Sequence, residues 1–188
     1  MNLLKNIFRS VRLPIQRGPN RGRWWSVSTA KNYFYDRFVP GKAGCLPQLL
    51  QPGETVWDIG AHCGYTALVE AQAVGATGRC FAFEPNPRNR QLLQLHLQWN
   101  RTTNVTVLPY AISGADGELS FGWEENQRAS TISSHLGGAG WKVPVRTIDG
   151  LIQSGEIPAP TFLKIDVEGA ELELLQGAAQ LLARELNL

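Results

Sequence analysis

Long apolar runs are missing from this chain: no stretch reaches about 18 residues, which excludes a membrane-spanning helix. Cysteine is scarce. Cys45, Cys63 and Cys80 are an odd set of three without metal-ligand spacing, so neither a disulfide framework nor a zinc site is expected. Free thiols of this kind point to a reducing, cytoplasmic setting. The first twelve residues hold no uninterrupted apolar segment and no small-residue cleavage site, which excludes a secretory signal. Asn100-Arg-Thr and Asn104-Val-Thr match glycosylation sequons, but in a cytoplasmic chain such matches arise by chance. Histidine is also rare, with His62, His96 and His135 the three candidates for acid–base work.

Acidic residues are nearly absent from the N-terminal quarter. Residues 1–45 carry nine Lys/Arg and one acid, Asp36, while the remainder carries nine basic residues against 15 acids. A basic arm attracts anionic surfaces, acidic substrates or nucleic acid, although a solvated, partly disordered leader is the plainer expectation. Leu3, Leu4, Ile7, Phe8 and Val11 recur at helical spacing. At most, residues 1–12 make a peripheral membrane contact, and packing against the chain's own domain is preferred.

What the chain does contain, from Leu46 onward, is a regular alternation. Apolar strands are expected at 55–59, 79–84, 105–111 and 161–166, and helices at 65–74, 88–99, 148–154 and 169–184. Strands alternating with helices of this length imply βαβ units and a parallel sheet. The 118–123, 130–132 and 142–148 segments, joined by glycine-rich connections, read as an antiparallel excursion. Residues 1–45 form an extension and 46–188 the domain, because the first segment has too little apolar material for its own core.

Two strand ends concentrate polar residues. Asp58-Ile-Gly60-Ala-His62-Cys-Gly64 closes the first strand with an acid followed by glycines four apart. A dinucleotide site needs closely spaced glycines and no acid at that point, since it seats a pyrophosphate. A carboxylate there repels phosphate and suits the ammonium of an amino-acid-bearing cofactor, unless the segment is an ordinary tight turn. Glu84 closes the second strand, 26 residues after Asp58. Its two oxygens match a ribose diol; capping the helix that follows is the alternative.

These segments occur in order with Ala82-Phe-Glu-Pro-Asn-Pro87, Asn104-Val, Pro109-Tyr-Ala-Ile112, Thr147-Ile-Asp149, Leu163-Lys-Ile-Asp-Val-Glu-Gly-Ala-Glu171 and Leu175-x-Gly177. The pattern, over roughly residues 52–182, resembles the FkbM family of S-adenosylmethionine-dependent methyltransferases. The resemblance implies an α/β fold with a mostly parallel, Rossmann-like class I methyltransferase sheet. It implies that Asp58, Gly60, Ala61, His62 and Gly64 line the methionine end of S-adenosylmethionine. Glu84, with Asn86 beside it, would hold the ribose, and Tyr110 and Ala111 would lie near adenine. His62 departs from the asparagine common at its position. The implied chemistry is O-methylation of a hydroxyl on a glycan or other small-molecule acceptor.

Lys164, Asp166 and Glu168 cluster at the end of the last strand. Lys164 and Asp166 share a strand face, so a structural ion pair with Asp166 or another acid is one reading. The other places Asp166 in the crevice as the base that takes the acceptor's proton. His135, in a glycine-rich segment, is the second choice for that role, and His96 is expected only to pack or to sit at the surface. Asp166 alone supplies too few oxygens for magnesium, so no metal is expected.

A class I sheet continues beyond its fourth strand, and the sequence stops where a fifth is due. The expectation is a domain lacking its last strands, with the fourth strand an open edge that favours self-association. Competing functions are a methyltransferase for RNA or protein, and an inactive module of the same fold that serves as a binding partner. Nucleic acid is disfavoured as the partner relative to a small-molecule or glycan hydroxyl.

Overall fold

In the computed structural model of the protein, residues 11–37, 42–121, 141–167 and 169–186 are described. The strands of the main sheet are β3 (Thr55–Ile59), β4 (Arg79–Phe83), β5 (Val105–Leu108) and β9 (Phe162–Ile165). All pair in parallel, in the order β5-β4-β3-β9. This is the order of the first four strands of a doubly wound sheet, and the fold is the α/β class I methyltransferase type. Among the described residues, β9 pairs with β3 and has no second neighbour.

Period-two alternation divides the side chains between two faces. Trp57, Ile59, Phe81 and Phe83 point one way, toward α4 (Ile148–Ser154), α5 (Glu171–Gln176) and α6 (Ala179–Leu186). Val56 and Cys80 point the other way, toward α1 (Lys42–Leu49) and α2 (Tyr65–Val74). Ala82 lies on that same face beneath α2 and α3 (Pro87–Trp99). Burial of each large apolar side chain contributes about 1.5–3 kcal/mol, and both faces are covered, as a parallel sheet requires.

The N-terminal segment departs from the solvated leader expected of it. Residues 12–14 (β1) and 24–26 (β2) pair antiparallel, and Lys31–Tyr35 makes a 3₁₀ turn. Ile15, Trp25 and Tyr33 are buried with Cys63, Leu68 and Leu93 in one core cluster. Asn20 donates to the Tyr65 carbonyl at 2.7 Å, and Trp24 exchanges hydrogen bonds with Asn100. Ile15 and two aromatic side chains, Trp25 and Tyr33, thus supply the apolar area that anchors this segment. The run at 3–10 lies outside the described residues.

Other expectations change in detail. The third strand ends at Leu108 because Pro109 has no N–H for the ladder. Ala111–Ile112 (β6) instead joins a small sheet with Gly117–Phe121 (β7) and Trp141–Arg146 (β8). Within it β7 and β8 pair antiparallel, as expected of that excursion, and β6 adds alongside β8 in parallel. The 130–132 strand lies outside the described residues. On α3 the buried residues are Leu92, Leu93, His96 and Leu97.

The last helix breaks at Gly177 into α5 and α6. A Cβ at Gly177 would meet the Ser113 carbonyl oxygen at 2.4 Å, so only glycine lets the chain pass there. The Asp149 carboxylate accepts from the Gln180 and Leu181 N–H groups at 2.8 and 3.0 Å, capping the restarted helix. No helix among the described residues is long and apolar enough to cross a membrane.

Candidate functional site

Strands β3, β4 and β9 bring their carboxyl ends together, and with them both polar segments singled out in the sequence. Asp58 stands level with Lys164 in the register of β3 and β9. Lys164 Nζ lies 2.8 Å from Asp58 Oδ1 and 3.8 Å from Asp166 Oδ2, and donates to the Gly60 carbonyl at 3.1 Å. Burial works against the Lys164 ammonium, but Asp58, Asp166 and Glu70 together outweigh it and raise its pKa. The structural ion pair is therefore made chiefly with Asp58. Asp166, about half exposed, remains at the surface of the crevice.

Asp58 is held on both sides. It has no exposed surface, and its other oxygen accepts from Thr66 Oγ1 at 2.8 Å. Both oxygens face protein groups, and through Lys164 and Thr66 Asp58 ties β9 and α2 to the turn. Glu70, from the middle of α2, is equally buried. Burial first, then the Asp58 charge, raise its pKa well above the usual range. The Lys164 charge acts the other way and lowers it. Glu70 was missed in the sequence, although an acid among Ala67, Leu68, Val69 and Ala71 was the available signal.

Gly60 and Gly64 have φ of 82° and 86°, and a Cβ on Gly60 would strike the Asp166 carbonyl oxygen at 2.1 Å. This glycine lets the two polar segments touch. Ala61 is buried, and His62 takes a left-handed φ of 49°. Its Nδ1 lies 3.0 Å from the Tyr33 hydroxyl. Burial and Lys164 lower the His62 pKa, opposed by Asp166, and keep the ring neutral at physiological pH.

Glu84 is 4% exposed at the end of β4. Burial raises its pKa to about 7, against hydrogen bonds from the Asn86 and His62 backbones and the Asn89 side chain. The helix cap is Asn86, whose side chain accepts from Arg88 N while its own N–H donates to Glu84. Glu84 thus keeps acceptor capacity at the strand end. Tyr110 lies past β5 and donates to Glu156 at 2.5 Å; Ala111 is buried in β6. His96 packs: Trp25 stacks on it at 3.6 Å, its Nε2 accepts from Ser26 N, and its Nδ1 meets the Cys63 carbonyl. His135 and Glu168 lie outside the described residues. Among the described residues, no group of three or more His, Cys, Asp or Glu is placed to hold a metal.

The sequence pattern of the Methyltransferase FkbM domain matches residues 58–186, from the first strand-end acid to the last helix. The chain belongs to the FkbM methyltransferase family. Hexuronic acid methyltransferase AglP of Haloferax volcanii is 30% identical over 158 residues, covering 81% of this chain and 63% of that protein. The chain thus spans less than two thirds of that relative's length. A SAM-dependent O-methyltransferase from Thermotoga maritima is 26% identical, with a TM-score of 0.35 over 37% of this chain and 28% of that one. Trm5b from Pyrococcus abyssi is 25% identical, with a TM-score of 0.38 over 46% of this chain and 25% of that one.

S-adenosylmethionine is the cofactor of the FkbM domain, and the residues present fit it. The Glu84 carboxylate stands at the β4 end, one βαβ step from the glycine turn. The Gly60–Gly64 turn opens the start of α2.

Proposed function

We propose that this chain is an S-adenosylmethionine-dependent O-methyltransferase whose acceptor is a hydroxyl of a glycan or related small molecule. One observation carries the reading: Glu84 and Asp166 stand at the ends of strands on either side of β3, the first buried for binding and the second open for chemistry. When bound, the cofactor supplies a methyl group activated by its sulfonium. Glu84 accepts the ribose hydroxyls. Asp166 takes the acceptor's proton as its oxygen attacks the methyl carbon and the bond from that carbon to the sulfonium breaks, leaving the thioether of S-adenosylhomocysteine. Alignment of acceptor and methyl group within the crevice provides much of the acceleration.

The similarity to a hexuronic acid methyltransferase makes a uronic-acid-bearing glycan the first acceptor to test. Such a sugar offers hydroxyls and a carboxylate, and the carboxylate is already ionised and needs no base. The experiment is transfer of labelled methyl to glucuronate-containing oligosaccharides, followed by mild alkali. Label that survives alkali is an ether and supports the hydroxyl reading. Label released by alkali is an ester and moves the acceptor to the carboxylate. No transfer to any sugar, with transfer to RNA or protein instead, refutes the glycan assignment. The buried thiols of Cys63 and Cys80 suit a reducing cytoplasm, which is the compartment we assign.

A further inference from the structure

Tyr33 lies 25 residues before the start of the family match at residue 58, yet it stands against the motif turn. Its ring is buried against Trp25 and Tyr65, with centroids 5.2 and 5.6 Å away, and stacks on His62 at 6.3 Å. Its hydroxyl reaches His62 Nδ1 at 3.0 Å. The segment carrying it is tied down on both sides. Gln16 N donates to the Phe34 carbonyl at 2.9 Å, and the Tyr65 hydroxyl donates to Asp36 at 3.1 Å.

His62 needs such a hold. A non-glycine residue at a φ of 49° is strained, and it sits between Gly60 and Gly64, where the backbone has most freedom. The His62 backbone N–H also supports the Glu84 carboxylate. A chain of contacts thus runs from Tyr33 through the His62 ring and backbone to the ribose acid.

We propose that Tyr33 is a positioning residue of the cofactor crevice, acting through His62 to hold the motif turn and the Glu84 carboxylate in their binding arrangement. This rests on the reading of the crevice as the S-adenosylmethionine site. Residues 11–36 are then part of the working site and not only a cover for the core.

The test is a double-mutant cycle on the full chain with S-adenosylhomocysteine as the probe, read by calorimetry across pH. Tyr33→Phe keeps the ring, and its melting temperature should stay within about 4 °C of the parent. We expect it to weaken binding about three- to tenfold and to move the pH midpoint of affinity upward, because Glu84 loses part of its support. In a His62→Asn background the same substitution should have little further effect. Unchanged affinity and midpoint in Tyr33→Phe, or an equal loss in both backgrounds, overturns the proposal while leaving the crevice reading intact. A parent chain that binds no S-adenosylhomocysteine overturns both.

Discussion

Lys164 is the bolt between the two polar segments: its ammonium bridges the Asp58 carboxylate at 2.8 Å and the Gly60 carbonyl at 3.1 Å. The register of β3 and β9 makes this contact unavoidable, because Asp58 and Lys164 are direct neighbours across the ladder. Lys164→Met should leave Asp58 buried and unpaired beside Glu70, at a cost of about 3–5 kcal/mol. Urea denaturation measures it. A loss below about 1 kcal/mol would show that Asp58 is solvated in solution.

As the proposed ribose acceptor, Glu84 should set a pH dependence for cofactor binding. Its pKa of about 7 leaves the carboxyl largely protonated below neutrality, when it accepts ribose hydroxyls poorly. Affinity for S-adenosylhomocysteine should rise as pH increases from about 6 to about 8, by up to roughly tenfold per unit on the acid side. Glu84→Gln should bind more weakly and show a flat profile over that range. A parent profile that is equally flat would remove Glu84 from the ribose.

Asp166 should matter for turnover more than for affinity, since it is half exposed and outside the Glu84 pocket. Asp166→Asn keeps the shape and removes the basic charge. A drop of about 10²–10⁴ in rate with a hydroxyl acceptor is expected, with cofactor affinity within about threefold of the parent. Equal rates would show that no base is needed, as for a carboxylate acceptor.

His96 gives a stability difference with a defined sign. Burial depresses its pKa from 6.5 to about 4, so the folded state resists a proton that the unfolded chain accepts. Its contribution is complete above about 6.5 and is lost as pH falls toward about 4, by up to about 3 kcal/mol. Glu70 and Glu84 have raised pKa values and slope the opposite way, so the parent alone conceals the effect. The difference in urea stability between the parent and His96→Gln isolates it, and should shrink across that window.

Asp149 belongs to the family pattern, but its carboxylate caps α6. Asp149→Ala should destabilise the fold by about 0.5–2 kcal/mol, with cofactor affinity unchanged in the folded protein. A calorimetric loss of affinity at full stability would give Asp149 a role in the crevice instead.

The strand-end acids, the glycine turn and the alternation of strands and helices were legible in the sequence because they are local. An apolar run with period two, a cap or a φ that favours glycine needs only near neighbours to declare itself. Even Lys164 could be recognised as needing an acid, because an ammonium in an apolar strand must be paired.

Which acid it took was decided by register. That is a relation between residues about a hundred positions apart, and it set Lys164 at 2.8 Å from buried Asp58 and at 3.8 Å from half-exposed Asp166. The N-terminal segment shows the same limit. Its charge pattern predicted a solvated leader, but Ile15, Trp25 and Tyr33 find their apolar partners on α2 and α3. The break at Gly177 likewise follows from the Ser113 carbonyl, which no helical periodicity can sense. Composition and spacing determined the elements, and the family resemblance carried by the motifs implied the cofactor. Tertiary packing decided which side chains were spent on holding them together and which were left to meet a ligand.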